Sequence, residues 1–291
     1  MINKITDKKG LVSVIMPVYN GMPTIQASIA SLLEQTYPDW ECVIVNDSST
    51  DGTRAFLVSL TDPRFVVHHF DKNRGEPQAR QKGLELARGE FIAMLDADDI
   101  YHPEKLASQV EIMNRRSDVY LVGAGMCAFG CNVDFIRIRS KGDGEVRLYN
   151  IKKSFPVAHG PSLLRREHAV KFSYNFDLML GADIDYLRRY LDGKLYTNLP
   201  RVLYYYSEFD SVTKKKIRST YKLYVKKFFK AGEYFNSSMY TAKLLYSYIV
   251  YPFLKLSTIL KKRGVEPTVE EVKDFQEHCI PKIKRLKNQA I

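Results

Sequence analysis

Short apolar runs alternate with amphipathic stretches through the first 125 residues of the sequence, and this alternation restricts the possible folds more than any other feature. The apolar runs are rich in β-branched residues and have the length of strands. They lie at 11–16, 42–46, 65–70, 91–95 and 119–125. The stretches with helical periodicity lie at 24–35, 53–60, 77–87 and 103–114. Strands that alternate with helices predict a Rossmann-like α/β fold, with a mainly parallel central sheet, right-handed connections and flanking helices.

Polar residues follow three of these predicted strands at the point where each strand ends. The segments are PVYN at 17–20, NDSSTDG at 46–52 and DADD at 96–99. In open α/β sheets, ligands bind beyond the carboxyl ends of the strands. The three segments are therefore expected to converge on one edge of the sheet and to form the binding site.

The DADD segment places three carboxylates directly after an apolar strand. Ionised carboxylates are rarely buried without a partner, because desolvation costs several kcal/mol per ion. Asp96 and Asp98 stand two residues apart, so both side chains point the same way on an extended chain. Two oxygen ligands on one side suit Mg²⁺ or Mn²⁺ beside a diphosphate. The alternative is a solvated acidic turn that caps the helix starting near Pro103.

Asp47 and Arg80 are further candidates, each with a structural alternative. Asp47 can accept the N–H of a nucleotide base, but the segment around it is also favourable turn and N-cap sequence. The guanidinium groups of Arg74 and Arg80, close in sequence to Asn73, can meet phosphate or carboxylate oxygens with two parallel hydrogen bonds. The alternative for either arginine is a solvated surface position.

The charge of the chain is very unevenly distributed. The 291 residues carry a formal net charge of +11, but from Lys214 onward 18 Lys and Arg stand against 6 Asp and Glu. The first 213 residues are therefore nearly neutral, which argues against nucleic acid binding by the main domain. No secretory signal pattern is visible at the N-terminus, and the four cysteines have no metal-ligand spacing. These features favour a cytoplasmic protein with reduced thiols.

Taken together, PVYNG, VNDSSTDGT and NRGEPQARQKGLELARGEFIAMLDADD resemble the GT-A fold glycosyltransferases of family 2. The resemblance is dense over residues 11–116 and looser as far as 213. It implies that a UDP-sugar binds at the strand tips, with the Tyr19 ring stacked on the base and Asp47 bonded to it. It also implies that Asp96 and Asp98 bind Mn²⁺ or Mg²⁺ at the diphosphate. The implied donor-binding residues are Pro17, Val18, Tyr19, Asn20, Asp47, Asn73, Arg80, Asp96, Ala97 and Asp98.

The same resemblance places the acceptor in the second half of the domain. The general base of the family is an aspartate in a Glu-Asp-x-Asp segment, and GADID at 181–185 makes Asp183 the candidate, with Asp185 as the fallback. Ala182 replaces the usual Glu, and the alternative role of Asp183 is to cap a helix over 181–193. The residues implied to contact the acceptor or the donor sugar are His159, Gly160, Asp99 and Ala182. A helix cap fits Asp99 slightly better.

One part of the family pattern is missing. Many relatives carry Arg-x-His after a Tyr-Tyr strand end, whereas the strand predicted at 199–207 is followed here by EFDSVT. The role of that histidine at the diphosphate therefore cannot be carried over to this chain, unless Glu208 or His159 substitutes for it.

After residue 213 the sequence interleaves Lys with Tyr, Phe and Leu at roughly helical spacing. The uncharged stretch between Lys243 and Lys255 has only 11 residues, far fewer than the ~20 needed to span a bilayer. The segment is expected to lie on an anionic membrane surface as a basic amphipathic helix. The alternative is that its apolar stripe packs on the catalytic domain or on a second subunit. A last helix is predicted to begin with a capping box at Thr268 and Glu271.

The expected organisation is a GT-A domain over 1–213, with a donor half at 1–116 and an acceptor half at 117–213, followed by a helical extension at 214–291. The resemblance implies an inverting, metal-dependent glycosyltransferase. It would move a hexosyl or N-acetylhexosaminyl group from a UDP-sugar to a hydroxyl of a lipid-linked glycan, in the synthesis of bacterial lipopolysaccharide or exopolysaccharide. Such an enzyme is expected on the inner face of the cytoplasmic membrane, as a peripheral monomer or homodimer. The alternatives are a catalytically silent nucleotide-sugar or glycan-binding module and a sugar nucleotidyltransferase, although PVYNGMPT lacks the Gly-rich loop of the latter.

Overall fold

All the predicted strand regions form strands in the computed structural model, which describes residues 8–130, 136–178, 181–208, 214–230, 232, 234–254, 259 and 264–289. The strands are β1 (Lys8–Val18), β2 (Trp40–Asn46), β3 (Phe65–His69), β4 (Gly89–Met94), β5 (Ile100–Tyr101), β6 (Val119–Phe129), β7 (Ile136–Arg139), β8 (Val146–Leu148), β9 (Leu163–Arg165) and β10 (Leu195–Ser207). The short strands β5, β7, β8 and β9 were not predicted, because two to four residues show no periodicity.

The predicted helices are also present, with small differences at their ends. The helices are α1 (Ile25–Leu33), α2 (Thr53–Val58), α3 (Glu76–Leu86), α4 (Lys105–Arg115), α5 (Arg166–Ala169), α6 (Ala182–Leu191), α7 (Lys214–Lys230), α8 (Tyr234–Ile249), α9 (Val269–His278) and α10 (Ile280–Gln289). The predicted capping box at the start of α9 is confirmed. The N–H of Glu271 donates to the Thr268 hydroxyl at 3.2 Å, and the N–H of Thr268 donates to Oε2 of Glu271 at 2.8 Å.

The first four long strands form the parallel half of the sheet. The strand order is β3-β2-β1-β4-β9-β6-β10-β5, and β1 pairs in parallel with both β2 and β4. In the second half, β9 runs antiparallel to β4 and β6, and β10 runs antiparallel to β5 and β8. The predicted α/β class is confirmed, but the parallel order holds only for β1–β4. Parallel pairing needs a crossover of a dozen or more residues, usually a helix. The described residues between α4 and α5 form no helix.

The side chains of the central strands alternate between two apolar cores, one on each face of the sheet. Val14 and Ala93 belong to one core, whereas Ile15 and Met94 belong to the other, together with Leu187 of α6. All of them are almost completely buried. Because a one-residue slip would exchange the two faces, this packing fixes the register of β1 and β4 and hence the position of their ends.

The chain forms two compact units. The first comprises Met1–Cys127, Ser140–Tyr206 and Thr268–Ile291, and the second comprises Ala128–Arg139 and Ser207–Pro267. This grouping differs from the predicted boundary at residue 213, because α9 packs on the sheet: the ring of Phe275 lies 5.7 Å from that of Tyr205 in β10. Within the part of the chain that the structure describes, every helix is too short or too polar to traverse a bilayer.

Candidate active site

The carboxyl ends of β1, β2 and β4 meet at one edge of the sheet, as predicted. Val18 of β1 pairs with Asn46 of β2, and Ile15 of β1 pairs with Met94 of β4. Pro17 and Val18 are the last residues of β1. The three polar segments that follow these strands therefore start side by side, within reach of one ligand.

The loops that follow β1 and β2 are hydrogen-bonded to each other. The N–H of Thr50 donates to Oδ1 of Asn20 at 2.8 Å, and the N–H of Asn20 donates to the Ser49 hydroxyl at 2.9 Å. Asn20 has a φ of 51°, a left-handed conformation that asparagine tolerates better than most residues. The neighbouring Tyr19 is 51% exposed, so its ring is accessible to a base. Asn20 thus builds the loop in addition to its predicted role at the donor.

Asp47 is buried directly after β2 and anchors the loop that precedes α3. Its Oδ1 accepts the N–H of Arg74 at 2.7 Å, and its Oδ2 accepts the N–H of Gly75 at 2.8 Å. Asn73 in the same loop is exposed. Each carboxylate oxygen keeps a further lone pair for a ligand. The structure adds this anchoring role to Asp47, and base binding stays a prediction.

Arg80 of α3 is the centre of a charge cluster at the tip of β4. Its Nη2 donates to Oδ1 of Asp96 at 2.8 Å, and it also pairs with Glu76 one turn earlier. Its side chain is only 8% exposed, so the alternative of a solvated surface arginine is wrong. Burial alone would lower the pKa of Arg80, but nearby carboxylates, Asp96 first and Asp183 among them, raise it well above its ordinary value. Arg80 therefore stays charged beside both carboxylates.

The segment of Asp96, Ala97 and Asp98 begins the loop after β4. The Asp96 side chain is 30% exposed, and within the described residues no hydrogen bond to its second oxygen is formed. Asp98 is half-buried, and Ala97 is 8% exposed. Partly exposed carboxylate oxygens are the donors that Mg²⁺ and Mn²⁺ prefer. The residues present therefore fit a divalent cation.

Asp99 has a different environment from the two aspartates before it. It is 1% exposed, and its Oδ2 accepts the O–H of Tyr204 at 2.6 Å. Tyr204 packs against Gly160, where an added Cβ would lie 2.6 Å from the tyrosine ring, so this position needs glycine. The helix cap expected of Asp99 is not formed, since α4 begins at Lys105 without a side-chain cap. The long-range bond to Tyr204 holds Asp99 inside the protein instead.

The first turn of α6 presents the candidate base. The helix begins at Ala182, after Gly181 with a φ of 77° that glycine adopts without strain. No side-chain cap is formed there, so the capping alternative for Asp183 is wrong. Among the described residues, the Asp183 carboxylate makes no hydrogen bond or ion pair, whereas Asp185 accepts two bonds from Arg189 at 3.0 and 2.9 Å. The geometry thus favours Asp183 over the fallback Asp185.

His159 and Tyr174 form a buried pair near these charges. Nε2 of His159 lies 2.9 Å from the Tyr174 hydroxyl. Burial lowers the pKa of His159 well below its ordinary value, and the Arg80 guanidinium lowers it further. Burial raises the pKa of Tyr174, and the carboxylates of Asp183 and Asp96 add to this. A neutral histidine and a neutral tyrosine therefore lie close to both candidate carboxylates, and no sequence pattern indicated Tyr174.

Glu208, one possible replacement for the missing family histidine, lies in the second unit and is fully engaged there. Its side chain has no exposed surface, and it accepts two hydrogen bonds from the Arg139 guanidinium at 2.8 and 3.0 Å. These contacts give Glu208 a structural role in its own unit. Residues 209–213, which follow it in the sequence, lie outside the described residues.

A second group of metal-binding side-chain types lies in the first unit. Ligand atoms of His102, Asp274 and His278 lie within 4.8 Å of one another. However, Nδ1 of His102 accepts the N–H of Glu104 at 3.1 Å, and the two histidine rings pack edge to face at 4.6 Å. Burial first, then the charges of His278 and Arg201, lowers the pKa of His102 to about 4. These contacts describe a neutral, packed ring that joins α9 to the start of α4, and a neutral imidazole is also the form that binds a metal ion.

The carboxyl edge of this α/β sheet, where ligands bind in folds of this kind, thus carries carboxylates and a buried arginine. The model of the family described as Glycosyl transferase family 2 matches residues 13–172, more than half of the chain. The chain belongs to this family. The match includes the tips of β1, β2 and β4 and ends before Asp183.

Two curated relatives match the N-terminal region. TuaG of Bacillus subtilis, named as a teichuronic acid biosynthesis glycosyltransferase, is 45% identical over 114 residues, which are 38% of this chain and 45% of the relative. WfgD of Escherichia coli, a UDP-Glc:alpha-D-GlcNAc-diphosphoundecaprenol beta-1,3-glucosyltransferase, is 41% identical over 113 residues, which are 39% of this chain and 45% of the relative. The matched region thus spans less than half the length of these relatives.

Solved structures match nearly the whole chain. TarS 1–349 of S. aureus in complex with UDP gives a TM-score of 0.59 at 19% identity, covering 94% of this chain and 82% of that chain. The mannosyltransferase PcManGT of Pyrobaculum calidifontis, in complex with GDP-Man and Mn²⁺, gives a TM-score of 0.58 at 19% identity, covering 96% and 84%. At this identity the likeness shows the fold alone, and the predicted GT-A architecture is confirmed.

Proposed function

We propose that this protein is an inverting glycosyltransferase that moves a hexosyl or N-acetylhexosaminyl group from a UDP-sugar to a hydroxyl of a lipid-linked glycan. The observation that carries the proposal is the pair of partly exposed aspartates, Asp96 and Asp98, at the tip of β4, where Arg80 pairs with Asp96 and also feels the charge of Asp183. The pair suits a cation at a diphosphate, and Asp183 suits a general base. Membership of the family and the UDP-sugar in the name of WfgD support the proposal.

The uracil and ribose of the donor are proposed to bind at the tips of β1 and β2. The exposed ring of Tyr19 would stack on the base. Asp47 would accept the ring N–H with a lone pair that its two backbone amides do not use. Asn20 and Asn73 lie in the loops on either side of Asp47, where their amides can meet the ribose.

The diphosphate is proposed to bind at the tip of β4, where Asp96 and Asp98 would hold Mn²⁺ or Mg²⁺. When bound, the cation neutralises charge on the diphosphate as UDP departs. Arg80 fixes one oxygen of Asp96 through a hydrogen bond of 2.8 Å. Ala97 between the two aspartates is small enough to leave the tip open to the donor.

In the proposed reaction, the acceptor hydroxyl oxygen attacks C1 of the sugar from the face opposite to UDP, and Asp183 takes the hydroxyl proton. The bond from C1 to the acceptor oxygen forms as the bond from C1 to the diphosphate oxygen breaks. The anomeric centre is thereby inverted without a covalent enzyme intermediate. His159, Gly160, Asp99 and Ala182 are proposed to shape the sugar and acceptor side. Holding the reacting atoms about 3 Å apart would lower the barrier by several kcal/mol.

We place the reaction in the synthesis of a bacterial surface polysaccharide, on the inner face of the cytoplasmic membrane. The name of WfgD specifies an acceptor linked to diphosphoundecaprenol, and the name of TuaG specifies teichuronic acid synthesis. An acceptor held by a membrane lipid requires the enzyme to work at the membrane surface. The Lys-rich extension from residue 214 provides cations for anionic lipid. A homodimer stays a prediction.

A catalytically silent nucleotide-sugar or glycan-binding module is the second candidate. It is favoured by Ala182 in place of the family's glutamate and by the loss of Arg-x-His, for which Glu208 offers no unengaged carboxylate. The sugar nucleotidyltransferase alternative would need a Gly-rich loop after the first strand, and the sequence PVYNGMPT at that place lacks one.

The test is to incubate the protein with a panel of UDP-sugars, Mn²⁺ and a lipid-linked acceptor extract, and to measure released UDP. Release that depends on both one UDP-sugar and the acceptor supports the glycosyltransferase. Tight UDP-sugar binding without release under any of these conditions identifies the silent module. Release of pyrophosphate from UTP and a sugar phosphate identifies a nucleotidyltransferase.

A further inference from the structure

The outer face of α8, in the second unit, is apolar although it is exposed to water. Its stripe consists of Met239, Ala242, Leu245, Tyr246 and Ile249, and Phe253 continues it in the turn that follows. Ile249 is 68% exposed, and Phe253 is 85% exposed. Residues three and four apart lie on one side of a helix, so these side chains form one continuous surface. Exposed apolar patches of this kind mark interaction sites.

The inner side of α8 carries two buried serines. Ser247 is fully buried and Ser237 is 6% exposed. The Ser237 hydroxyl donates to the carbonyl of Val225 at 3.2 Å, and the Ser247 hydroxyl donates to the carbonyl of Leu244 at 2.6 Å. A surface helix of a soluble domain normally turns its most apolar side inward. The ring of Tyr240 also packs on Tyr221 and Tyr224 of α7. Leu245 and Ile249 nevertheless lie outside, which indicates that the outer face meets an apolar medium.

Cationic side chains border this stripe on both sides. Arg218 and Lys222 of α7 lie 4.7 and 5.7 Å from the ring of Tyr248, and Lys243 lies 4.8 Å from the ring of Tyr240. α7 itself carries eight Lys and Arg and no Asp or Glu. The sequence of the second unit contains 15 Lys and Arg against 5 Asp and Glu. This unit therefore holds almost all of the net charge of the protein.

We propose that the α8 stripe (Met239, Ala242, Leu245, Tyr246, Ile249 and Phe253) docks on an anionic phospholipid bilayer. The apolar side chains would enter the headgroup boundary, with tyrosines at that level and with Arg218, Lys222 and Lys243 against lipid phosphates. α8 has 16 residues, so it lies in the interface and does not span the bilayer. The inference rests on the proposed function for the membrane location and adds the surface that makes the contact.

A second copy of the chain is a less suitable occupant of this surface. A symmetric contact through the α8 stripe would bring two copies of the same strongly basic unit together. Like charges placed opposite each other across an interface disfavour association. An anionic bilayer satisfies both the apolar stripe and its cationic border.

The experiment uses the full chain, because α9 and α10 group with the sheet and a truncation at residue 213 would remove them from the first unit. The variant Leu245→Ser/Ile249→Ser removes apolar surface at exposed positions. The matched control is Leu33→Ser/Val58→Ser, at positions of the first unit that are 47% and 72% exposed. Each protein is mixed with vesicles of phosphatidylcholine containing about 30 mol% phosphatidylglycerol, and the bound fraction is measured by flotation.

The native protein and the control should float with the anionic vesicles, and the partition coefficient of the α8 variant should be at least about tenfold lower. Lys222→Glu/Lys243→Glu should lower it similarly, and vesicles of phosphatidylcholine alone should bind weakly. Equal flotation of the α8 variant and the control would overturn the proposal. So would a dimer in light scattering that the α8 variant, but not the control, converts to a monomer, because a second copy would then be the occupant.

Failure of this inference can be distinguished from failure of the proposed function. With a detergent-dispersed acceptor, the α8 variant should release UDP as fast as the native protein, and on vesicles it should be slower. If the native protein floats but releases no UDP with any donor, the docking surface stands and the glycosyltransferase proposal fails.

Discussion

Two carboxylate clusters lie at opposite ends of the same strands, and they differ in how completely their oxygens are satisfied. Near the amino ends, Glu41 is 4% exposed and accepts the Ser13 hydroxyl at 2.6 Å and two guanidinium nitrogens of Arg88 at 2.9 and 2.5 Å. At the carboxyl ends, Asp96 is 30% exposed and has one oxygen engaged, by Arg80. A carboxylate thus stabilises the fold at the amino-terminal edge, whereas a carboxylate at the carboxyl-terminal edge can still coordinate a ligand.

This difference separates structural from functional carboxylates without reference to any relative. Glu41 accepts four hydrogen bonds, so all of its lone pairs are engaged and it has no capacity for a ligand, whereas Asp47 accepts two and keeps one lone pair on each oxygen. A carboxylate that is half-satisfied and reachable from water is costly to maintain unless a cation or substrate completes it. The comparison predicts that substitutions at the two edges affect different observables.

The largest effect is expected at Asp183, the carboxylate with no partner among the described residues. Asp183→Asn should lower the transfer rate by about 10³-fold, because a general base typically contributes about 10²–10⁴-fold. UDP affinity in calorimetry should not change. Asp185→Asn, whose carboxylate pairs with Arg189, is the matched control and should lose less than about threefold in rate. Near-normal turnover in Asp183→Asn would move the base to another residue.

At the amino-terminal edge, substitution of Glu41 should lower the stability of the protein rather than its activity. Glu41→Ala leaves the Ser13 hydroxyl, the Arg88 amide and the Arg88 guanidinium without their acceptor. The free energy of unfolding in urea should fall by about 3 kcal/mol. UDP affinity of the remaining folded protein should match that of the native protein. A loss of affinity with unchanged stability would reverse the roles of the two edges.

Asp99 tests the comparison within one edge. It lies at the carboxyl-terminal edge, but it is buried and hydrogen-bonded like Glu41. Tyr204→Phe removes the O–H that Asp99 accepts at 2.6 Å. Leaving a buried carboxylate short of a donor should lower the free energy of unfolding by about 2 kcal/mol. Tyr206→Phe, on the same strand and half-buried, is the control. Urea denaturation that gives equal stabilities for both variants would contradict the assignment of Asp99 to the fold.

The smallest effect in free energy is expected for the cation site. Asp98→Ala should weaken UDP-sugar binding by at least about tenfold in the presence of Mn²⁺, with little change in its absence. Calorimetry with and without Mn²⁺ measures both affinities. If the native protein binds the UDP-sugar equally well in both conditions, the carboxyl edge holds no functional cation.

The parts of the fold with strict periodicity could be predicted from the sequence, whereas long-range pairs could not. β1–β4 and the helices between them follow from alternating runs of ordinary length. The direction of β9 could not be derived, because a strand of three residues carries no pattern. The strand-tip positions of Asp47 and Asp96 followed from the same alternation. The bond between Tyr204 and Asp99 joins residues 105 apart in sequence, and a single sequence contains no signal for such a pair.

The return of α9 and α10 to the sheet also sets the order in which the protein can fold. During synthesis, β10 leaves the ribosome before the helix whose Phe275 covers Tyr205. At about 5–20 residues per second, this flank of the sheet stays uncovered for several seconds while α7, which carries eight Lys and Arg, and α8 have already been synthesised. If α8 docks on lipid as proposed, the nascent chain can attach before the first unit is complete, so that maturation and membrane recruitment proceed together.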